Sequence, residues 1–169
     1  SAGTLRIKEF LMRNGHPYSY IDLERDPDVQ NLLDNFKISA SEIPVLICRG
    51  QLALRNPSNQ QIADCLGFNE SIDQTLVRDL VVIGAGPSGL AAAVYGASEG
   101  LDVLVLETSS PGGQAGSSSK IENYLGFPTG ITGQELAARA YLQAQKFGAH
   151  MLITKATRLI CDCKPYVVE

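Results

Sequence analysis

The pattern of apolar and polar positions is most regular between residues 79 and 107. An apolar run at 80–83 leads into a glycine-rich turn, and a helix pattern rich in small residues follows. A second apolar run ends on the acid Glu107. Short apolar runs bounded by turn residues are typical of buried strands, and the order strand–helix–strand predicts a parallel βαβ unit. Further along, the spacing predicts a helix at 133–147 and strands at 151–153, 157–161 and 166–168.

Residues 1–70 follow a different pattern, which predicts the order α-β-α-β-β-α. The predicted elements cover, in chain order, residues 4–14, 18–23, 26–36, 43–48, 52–54 and 59–66. Asp26 and Pro27 suit the cap and the first position of the second helix. The sequence therefore predicts an α/β protein with one domain at 1–70 and another at 79–169, joined by a polar connector at 71–78.

The glycine turn has the form of a dinucleotide-binding fingerprint. Gly84, Gly86 and Gly89 show the spacing G-x-G-x-x-G directly after a predicted strand. Gly84 allows the tight turn, Gly86 lets the backbone approach a pyrophosphate, and Gly89 lets the helix pack closely on the strands. The predicted helix begins at Pro87 and Ser88, so its N–H groups and its partial positive charge face the phosphates.

Glu107 lies at the end of the second predicted strand, where a carboxylate can accept hydrogen bonds from both hydroxyls of a ribose. Its charge should repel a 2′-phosphate, so NADP is not expected at this site. The turn could also be a tight turn that binds nothing, but strand, glycines, helix, strand and acid together predict a dinucleotide site. The acid suits the ribose of NAD as well as that of FAD.

Composition narrows the classes of function. The net charge of −4 and the pI near 5.2, without a basic cluster, argue against a nucleic-acid partner. No apolar stretch reaches the roughly 18 residues of a membrane span, and the N-terminus lacks a signal-peptide pattern. We therefore expect no membrane partner and a cytoplasmic location. No metal site is predicted, and no residue has a pattern that would make it a catalytic candidate.

The chain has four cysteines, none of which form a C-x-x-C pair. Cys161 and Cys163 share one face of a predicted strand. Two small buried strand residues are the expected interpretation of this pair, and a redox pair is the alternative.

The segment at 108–133 has neither a helical nor a strand period, and loops of this length within a compact domain are usually functional or disordered. It contains PGGQ at 111–114 and ENYLGFP at 122–128, and TGQEL follows at 132–136. Together these motifs resemble the FAD domain of the low-molecular-weight thioredoxin reductases.

In that family the first motif wraps the flavin, and the asparagine of the second lies against the isoalloxazine. The resemblance implies that Gly113, Gln114 and Asn123 contact FAD. The chemistry suits a flavin, since an amide both donates and accepts hydrogen bonds and glycine lets the backbone approach a planar ring.

The resemblance also implies that an NADPH-binding domain with a C-x-x-C motif follows this part of the sequence. We therefore expect the chain to be the N-terminal part of a pyridine nucleotide-disulfide oxidoreductase that is a homodimer when intact. The chain alone is expected to be inactive. NADPH or NADH is expected only with the further domain, and the electron acceptor stays open.

Within 1–70, the strings HPYSYIDLERDP and EIPVLICRG resemble the thioredoxin/glutaredoxin fold without its first strand. The resemblance implies a cis bond before Pro44. Residues 1–4 stand where that family has its C-x-x-C, so this module is expected to be redox-silent and to serve docking or packing. Peptide binding beside Pro44 is the alternative.

Three functions are compatible with the sequence. The first is the FAD-binding part of a flavoprotein reductase, and the second is a non-catalytic module that binds or senses FAD. The third is the NAD-binding half of a dehydrogenase. The long loop with its two motifs favours flavin.

Overall fold

The computed structural model describes residues 1–26, 29–73 and 75–169. The chain forms two compact units, Ser1–Leu66 and Gly67–Glu169. Both helices and strands occur, so the protein is of the mixed α/β class that the sequence predicts.

The described part of the first unit contains three α-helices and one β-hairpin. The helices are α1 (Ala2–Arg13), α2 (Val29–Asn35) and α3 (Asn59–Leu66), and the strands are β1 (Val45–Cys48) and β2 (Leu52–Arg55). The strands pair antiparallel around a turn at Arg49 and Gly50, which both have positive φ. A turn of this kind matches the twist of the two strands that it joins.

Two helices supply most of the core of the first unit. Phe10 and Leu11 of α1 are almost fully buried, as are Ile62 and Ala63 of α3. Ser58 caps α3, because its Oγ accepts a hydrogen bond from the N–H of Gln61 at 3.2 Å. The helices predicted at 4–14 and 59–66 are therefore confirmed, with α1 starting slightly earlier.

The strand predicted at 18–23 is wrong. These residues form no strand, and their larger side chains are partly exposed. Within the described residues β1 and β2 pair only with each other, so this segment has no neighbouring strand to satisfy its backbone N–H and C=O groups. Tyr20 instead lies against α1, where Lys8 Nζ is 4.1 Å from the centre of its ring.

Other local predictions in the first unit have mixed outcomes. The helix predicted at 26–36 is α2, and Pro27 lies outside the described residues. The Ile43–Pro44 peptide bond is cis, as the resemblance implied. Cys48 and Cys65 form a disulfide that the sequence did not predict.

The second unit is built on a parallel sheet. Its strands are β3 (Leu80–Ile83), β4 (Val103–Glu107) and β5 (His150–Ile153), in the order β3-β4-β5. Helix α4 (Pro87–Ser98) connects β3 to β4, and helix α5 (Gly133–Lys146) precedes β5. The predicted βαβ unit is thus confirmed and continues into a third parallel strand.

The core of the second unit lies between the sheet and its two helices. Leu90, Ala93 and Ala97 of α4 pack with Val103 and Val105 of β4, and all five are buried. Small residues on α4 let the helix approach the sheet closely. The carboxyl ends of β3 and β4 consequently meet the amino end of α4 at one edge of the sheet.

A short antiparallel pair, β6 (Leu159–Ile160) and β7 (Val167–Val168), ends the chain. The strand predicted at 157–161 is therefore shorter than expected, and Cys161 and Cys163 lie beyond its end. Both are exposed free cysteines rather than buried strand residues. The prediction was wrong because the turn between β6 and β7 starts earlier than the alternating pattern indicated.

Asn69 ties the start of the second unit to β5. Its Nδ2 donates to the Ile153 carbonyl at 3.2 Å, and its Oδ1 accepts from the Ile153 N–H at 2.7 Å. We expect Asn69→Ala to lower the free energy of unfolding by about 1–3 kcal/mol, since polar groups of the buried Ile153 lose these partners. Urea denaturation measures the change. Gln143→Ala, at an exposed position of α5, is the control, and an equal loss in both variants would contradict this role.

Candidate functional site

The glycine turn between β3 and α4 adopts a conformation that needs glycine at its first position. Gly84 has a φ of +95°, and its N–H donates to the Leu106 carbonyl at 2.7 Å. Gly86 is the residue that precedes α4, and Pro87 is the first residue of the helix. Because Gly86 has no side chain, it does not cap the first N–H groups of α4. The positive end of the helix dipole lies at this amino end, beside the glycine turn.

Two glycines of the fingerprint differ in the space around them. A Cβ at Gly89 would lie 1.9 Å from the Gly84 carbonyl oxygen, so Gly89 is required by packing. A Cβ at Gly86 would meet no atom of the described residues within 4 Å, and Gly86 has an ordinary φ of −69°. Neither packing nor backbone strain requires glycine at position 86. The backbone at Gly86 is therefore open at the amino end of α4.

Glu107 ends β4 and is buried, with a relative exposure of 8%. Its Oε2 accepts a hydrogen bond from the Ala85 N–H at 2.7 Å, and its Oε1 accepts from the Ser109 N–H at 2.9 Å. The Thr108 hydroxyl donates to Oε1 at 3.4 Å. The carboxylate therefore links the glycine turn to the loop after β4. An ionised carboxylate offers about four acceptor positions, so Oε2 retains one for a ligand hydroxyl.

The loop after β4 folds back onto the glycine turn. The Gly112 N–H donates to the Ala85 carbonyl at 2.7 Å. A Cβ at Gly113 would lie 3.2 Å from the Gly86 Cα. The two glycine motifs, predicted separately from the sequence, therefore meet at one place. Gln114, the next residue, is exposed beside them.

The rest of this loop is ordered by its own hydrogen bonds and by α5. Ile121 and Ile131 form an isolated antiparallel bridge, and the Gly133 N–H donates to the Ser118 carbonyl at 2.8 Å. A Cβ at Gly133 would lie 1.8 Å from the Ala115 carbonyl oxygen, so the loop packs tightly on the start of α5. The segment is thus a folded element rather than a flexible linker.

A small depression lies between the amino end of α4, this loop and α5. Its volume is about 10 Å³, roughly the space that one water molecule needs. Small and apolar residues line it: Pro87, Leu90, Gly112, Ala115, Gly116, Tyr124, Gly133, Leu136, Ala137 and Ala140. Asn123 is exposed and precedes Tyr124 of the lining. The second motif of the loop therefore borders, through Tyr124, the same depression as the start of α4.

Ser110 is a buried polar residue whose burial the sequence does not indicate. It is fully buried three positions after Glu107, and its hydroxyl has no hydrogen-bond partner among the described residues. A buried hydroxyl without a hydrogen-bond partner is costly to stability. Nothing in the sequence distinguishes Ser110 from the neighbouring serine, because only the fold determines which of the two is buried.

Other kinds of site are not found in the described ranges. Residues 1–26, 29–73 and 75–169 contain no group of three or more His, Cys, Asp or Glu that could hold a metal ion. Over the same ranges, every helix is too short or too polar to cross a membrane.

Part of this chain is similar in sequence to part of several known proteins. Residues 65–125 match the model of the Thi4 family. The thioredoxin reductase of Ureaplasma parvum serovar 3 is 45% identical over 83 residues, covering 49% of this chain and 26% of that protein. NADPH-dependent thioredoxin reductase 3 of Arabidopsis thaliana is 31% identical over 134 residues, covering 71% of this chain and 25% of that protein.

The comparison with solved structures also finds a thioredoxin reductase. The thioredoxin reductase from Streptococcus pyogenes MGAS5005 matches with a TM-score of 0.52 and 34% identity, over 54% of this chain and 30% of that one. About half of the chain is therefore similar to thioredoxin reductases in sequence and fold. The chain spans about a quarter of the length of the curated relatives that it matches.

Proposed function

We propose that the second unit binds FAD and serves as the FAD-binding part of a flavoprotein oxidoreductase similar to the thioredoxin reductases. The pyrophosphate lies at the amino end of α4, against Gly84, Gly86 and the first helical residues Pro87 and Ser88. The isoalloxazine lies near Gly113, Gln114 and Asn123. A bound flavin would supply two-electron redox chemistry: it would take two electrons from a reduced nicotinamide and pass them to an acceptor.

The main support for this proposal is the contact between the glycine turn at 84–89 and the PGGQ motif at 111–114. Gly113 lies directly against Gly86, and both positions offer backbone rather than side chain to a ligand. A dinucleotide whose pyrophosphate approaches Gly86 would extend along the loop that begins at Gly112. A site that binds a dinucleotide through the glycine turn alone does not need such a loop. A site that also surrounds a flavin with backbone does need one.

The charges and hydrogen-bond groups around the turn also fit a dinucleotide. Glu107 keeps an acceptor position on Oε2 for a ribose hydroxyl, and the positive end of the α4 dipole complements the phosphates. The negative charge of Glu107 disfavours a 2′-phosphate here, so NADP is not a ligand of this site.

NAD is the second candidate for the site, because a carboxylate at the end of β4 suits its ribose equally well. The two candidates predict different affinities for the same protein. We expect equilibrium titration of the flavin-free protein to give a dissociation constant for FAD at least a hundredfold below that for NAD. Tight NAD binding without affinity for FAD would contradict the flavin proposal and favour a dehydrogenase.

A test of reduction separates an oxidoreductase from a module that only holds or senses FAD. We expect NADPH or NADH to bleach the flavin absorbance of the intact protein in the absence of oxygen. Bound flavin that neither nicotinamide reduces would instead support the non-catalytic module. FAD added to buffer without protein is the control for direct reduction.

We also propose that the first unit is a thioredoxin-like module without a C-x-x-C motif. Two observations support this: the strings HPYSYIDLERDP and EIPVLICRG, and the order of the β1–β2 hairpin followed by helix α3. The homodimer and the cytoplasmic location expected from the sequence stay predictions. The electron acceptor is open.

A further inference from the structure

The disulfide between Cys48 and Cys65 is a second chemical feature of the chain, and it does not depend on the flavin site. Cys48 is the last residue of β1, and Cys65 lies in the last turn of α3. The two Cα atoms are 6.6 Å apart, and the residues are separated by 17 positions. The bond thus joins the end of the hairpin's first strand to the carboxyl end of the helix.

Most of α3 is held in place without this bond. Ile62 and Ala63 are fully buried, and Ser58 caps the helix. At the start of the helix, the Arg6 guanidinium donates to the Pro57 carbonyl at 2.6 Å and to Asn59 Oδ1 at 3.1 Å. Opening the disulfide would therefore release only the last turn of the helix. The first unit can lose the bond and keep its fold.

The two cysteine residues differ in exposure. Cys48 is 3% exposed, whereas Cys65 is half-buried. A thiolate attacks the disulfide sulfur that it can reach, and the other sulfur departs as a thiolate. In this geometry an external thiolate attacks Cys65, and Cys48 is the leaving group.

A permanent positive charge is bound next to the pair. Arg49 follows Cys48 in the hairpin turn, and its guanidinium donates to the Leu66 carbonyl at 2.9 Å. Leu66 in turn follows Cys65. A cation near a cysteine favours its thiolate, so Arg49 would stabilise the thiolates that exchange produces.

We propose that Cys48 and Cys65 form a site of reversible thiol–disulfide exchange with a dithiol partner. The partner's first thiolate forms a bond to Cys65 Sγ, and the bond between Cys65 and Cys48 breaks. The partner's second thiolate then attacks its own bound sulfur and releases Cys65. The partner is oxidised to a disulfide, and the pair takes up two electrons and two protons to become two thiols. The first unit is then redox-active, in contrast to the redox-silent module that the sequence predicts.

The test counts reactive thiols in the folded protein with dithiothreitol as the dithiol. The full chain carries Cys161→Ser and Cys163→Ser, which remove the two exposed thiols. Iodoacetamide adducts are then counted by intact mass. We expect no adduct after oxidation in air, two adducts after dithiothreitol, and the circular dichroism spectrum of a folded protein in both states. In a second reduced sample, dithiothreitol is removed and oxidised glutathione is added before labelling. Iodoacetamide should then form no adduct, because the disulfide has formed again.

Single variants test the order of attack. In Cys48→Ser, the remaining Cys65 should react with iodoacetamide at least tenfold faster than the remaining Cys48 does in Cys65→Ser. The variant that lacks all four cysteines is the control for labelling elsewhere. Three results would overturn the proposal: reduction only in denaturant, two adducts already present after oxidation in air, or faster labelling of Cys48 than of Cys65.

Discussion

Replacing Gly86 with alanine is expected to weaken FAD binding by at least tenfold without lowering the free energy of unfolding of the flavin-free protein. The added methyl group meets no atom of the described residues within 4 Å, and the backbone angles at this position suit alanine. The methyl group instead occupies the space through which a pyrophosphate would reach the turn. A tenfold change in affinity corresponds to about 1.4 kcal/mol. Equilibrium titration with FAD and urea denaturation without FAD measure the two effects.

Gly89→Ala, three positions later in the first turn of α4, is the matched control and should instead lower the stability of the flavin-free protein. Its methyl group would lie 1.9 Å from the Gly84 carbonyl oxygen, which belongs to the backbone and cannot move aside. Overpacking of this kind costs about 1–3 kcal/mol or more, so the flavin-free protein itself should be destabilised. If Gly86→Ala kept full affinity for FAD, the pyrophosphate could not lie on this turn.

Replacing Glu107 with glutamine should destabilise the protein before any ligand is present. Two backbone N–H groups, those of Ala85 and Ser109, donate to the two carboxylate oxygens. A glutamine side chain has a single acceptor oxygen and would turn its NH₂ group towards one of these donors. We expect the free energy of unfolding without FAD to fall by about 1–3 kcal/mol, since a buried N–H loses its partner.

The same variant should also weaken FAD binding, because the ribose loses its carboxylate acceptor and the glycine turn loses its support. Glu122→Gln is the control, since Glu122 is an exposed glutamate that pairs with Lys120 on the same loop. Denaturation of the flavin-free protein and titration with FAD report on the two roles separately. Unchanged stability would contradict the link between the turn and the loop, and unchanged affinity would contradict the ribose contact.

The sequence predicted the second unit well because its elements are specified locally. Each strand of the βαβ unit is a short apolar run, and Gly84 marks a turn with a positive φ. The position of Glu107 at the end of β4 followed from the length of the apolar run. Its hydrogen bond to Ala85, 22 positions earlier, depends on how the folded turn approaches the strand. A one-dimensional pattern contains no such information.

The first unit shows the opposite case. The alternation at 18–23 was typical of a strand, but pairing depends on a neighbour that the described residues do not provide. The Cys48–Cys65 bond likewise depends on where α3 packs relative to β1. The burial of Ser110, rather than of the serine beside it, is also decided by tertiary structure. Predictions failed where long-range packing, rather than local pattern, determines the result.

A crystal structure of the protein with FAD is the most direct test of the proposed flavin site. We expect the pyrophosphate within hydrogen-bond distance of the backbone at Gly86 and the amino end of α4. We also expect a ribose hydroxyl at Glu107 and the isoalloxazine beside Gly113 and Gln114. Electron density for FAD at any other place, with the glycine turn free of phosphate, would contradict it.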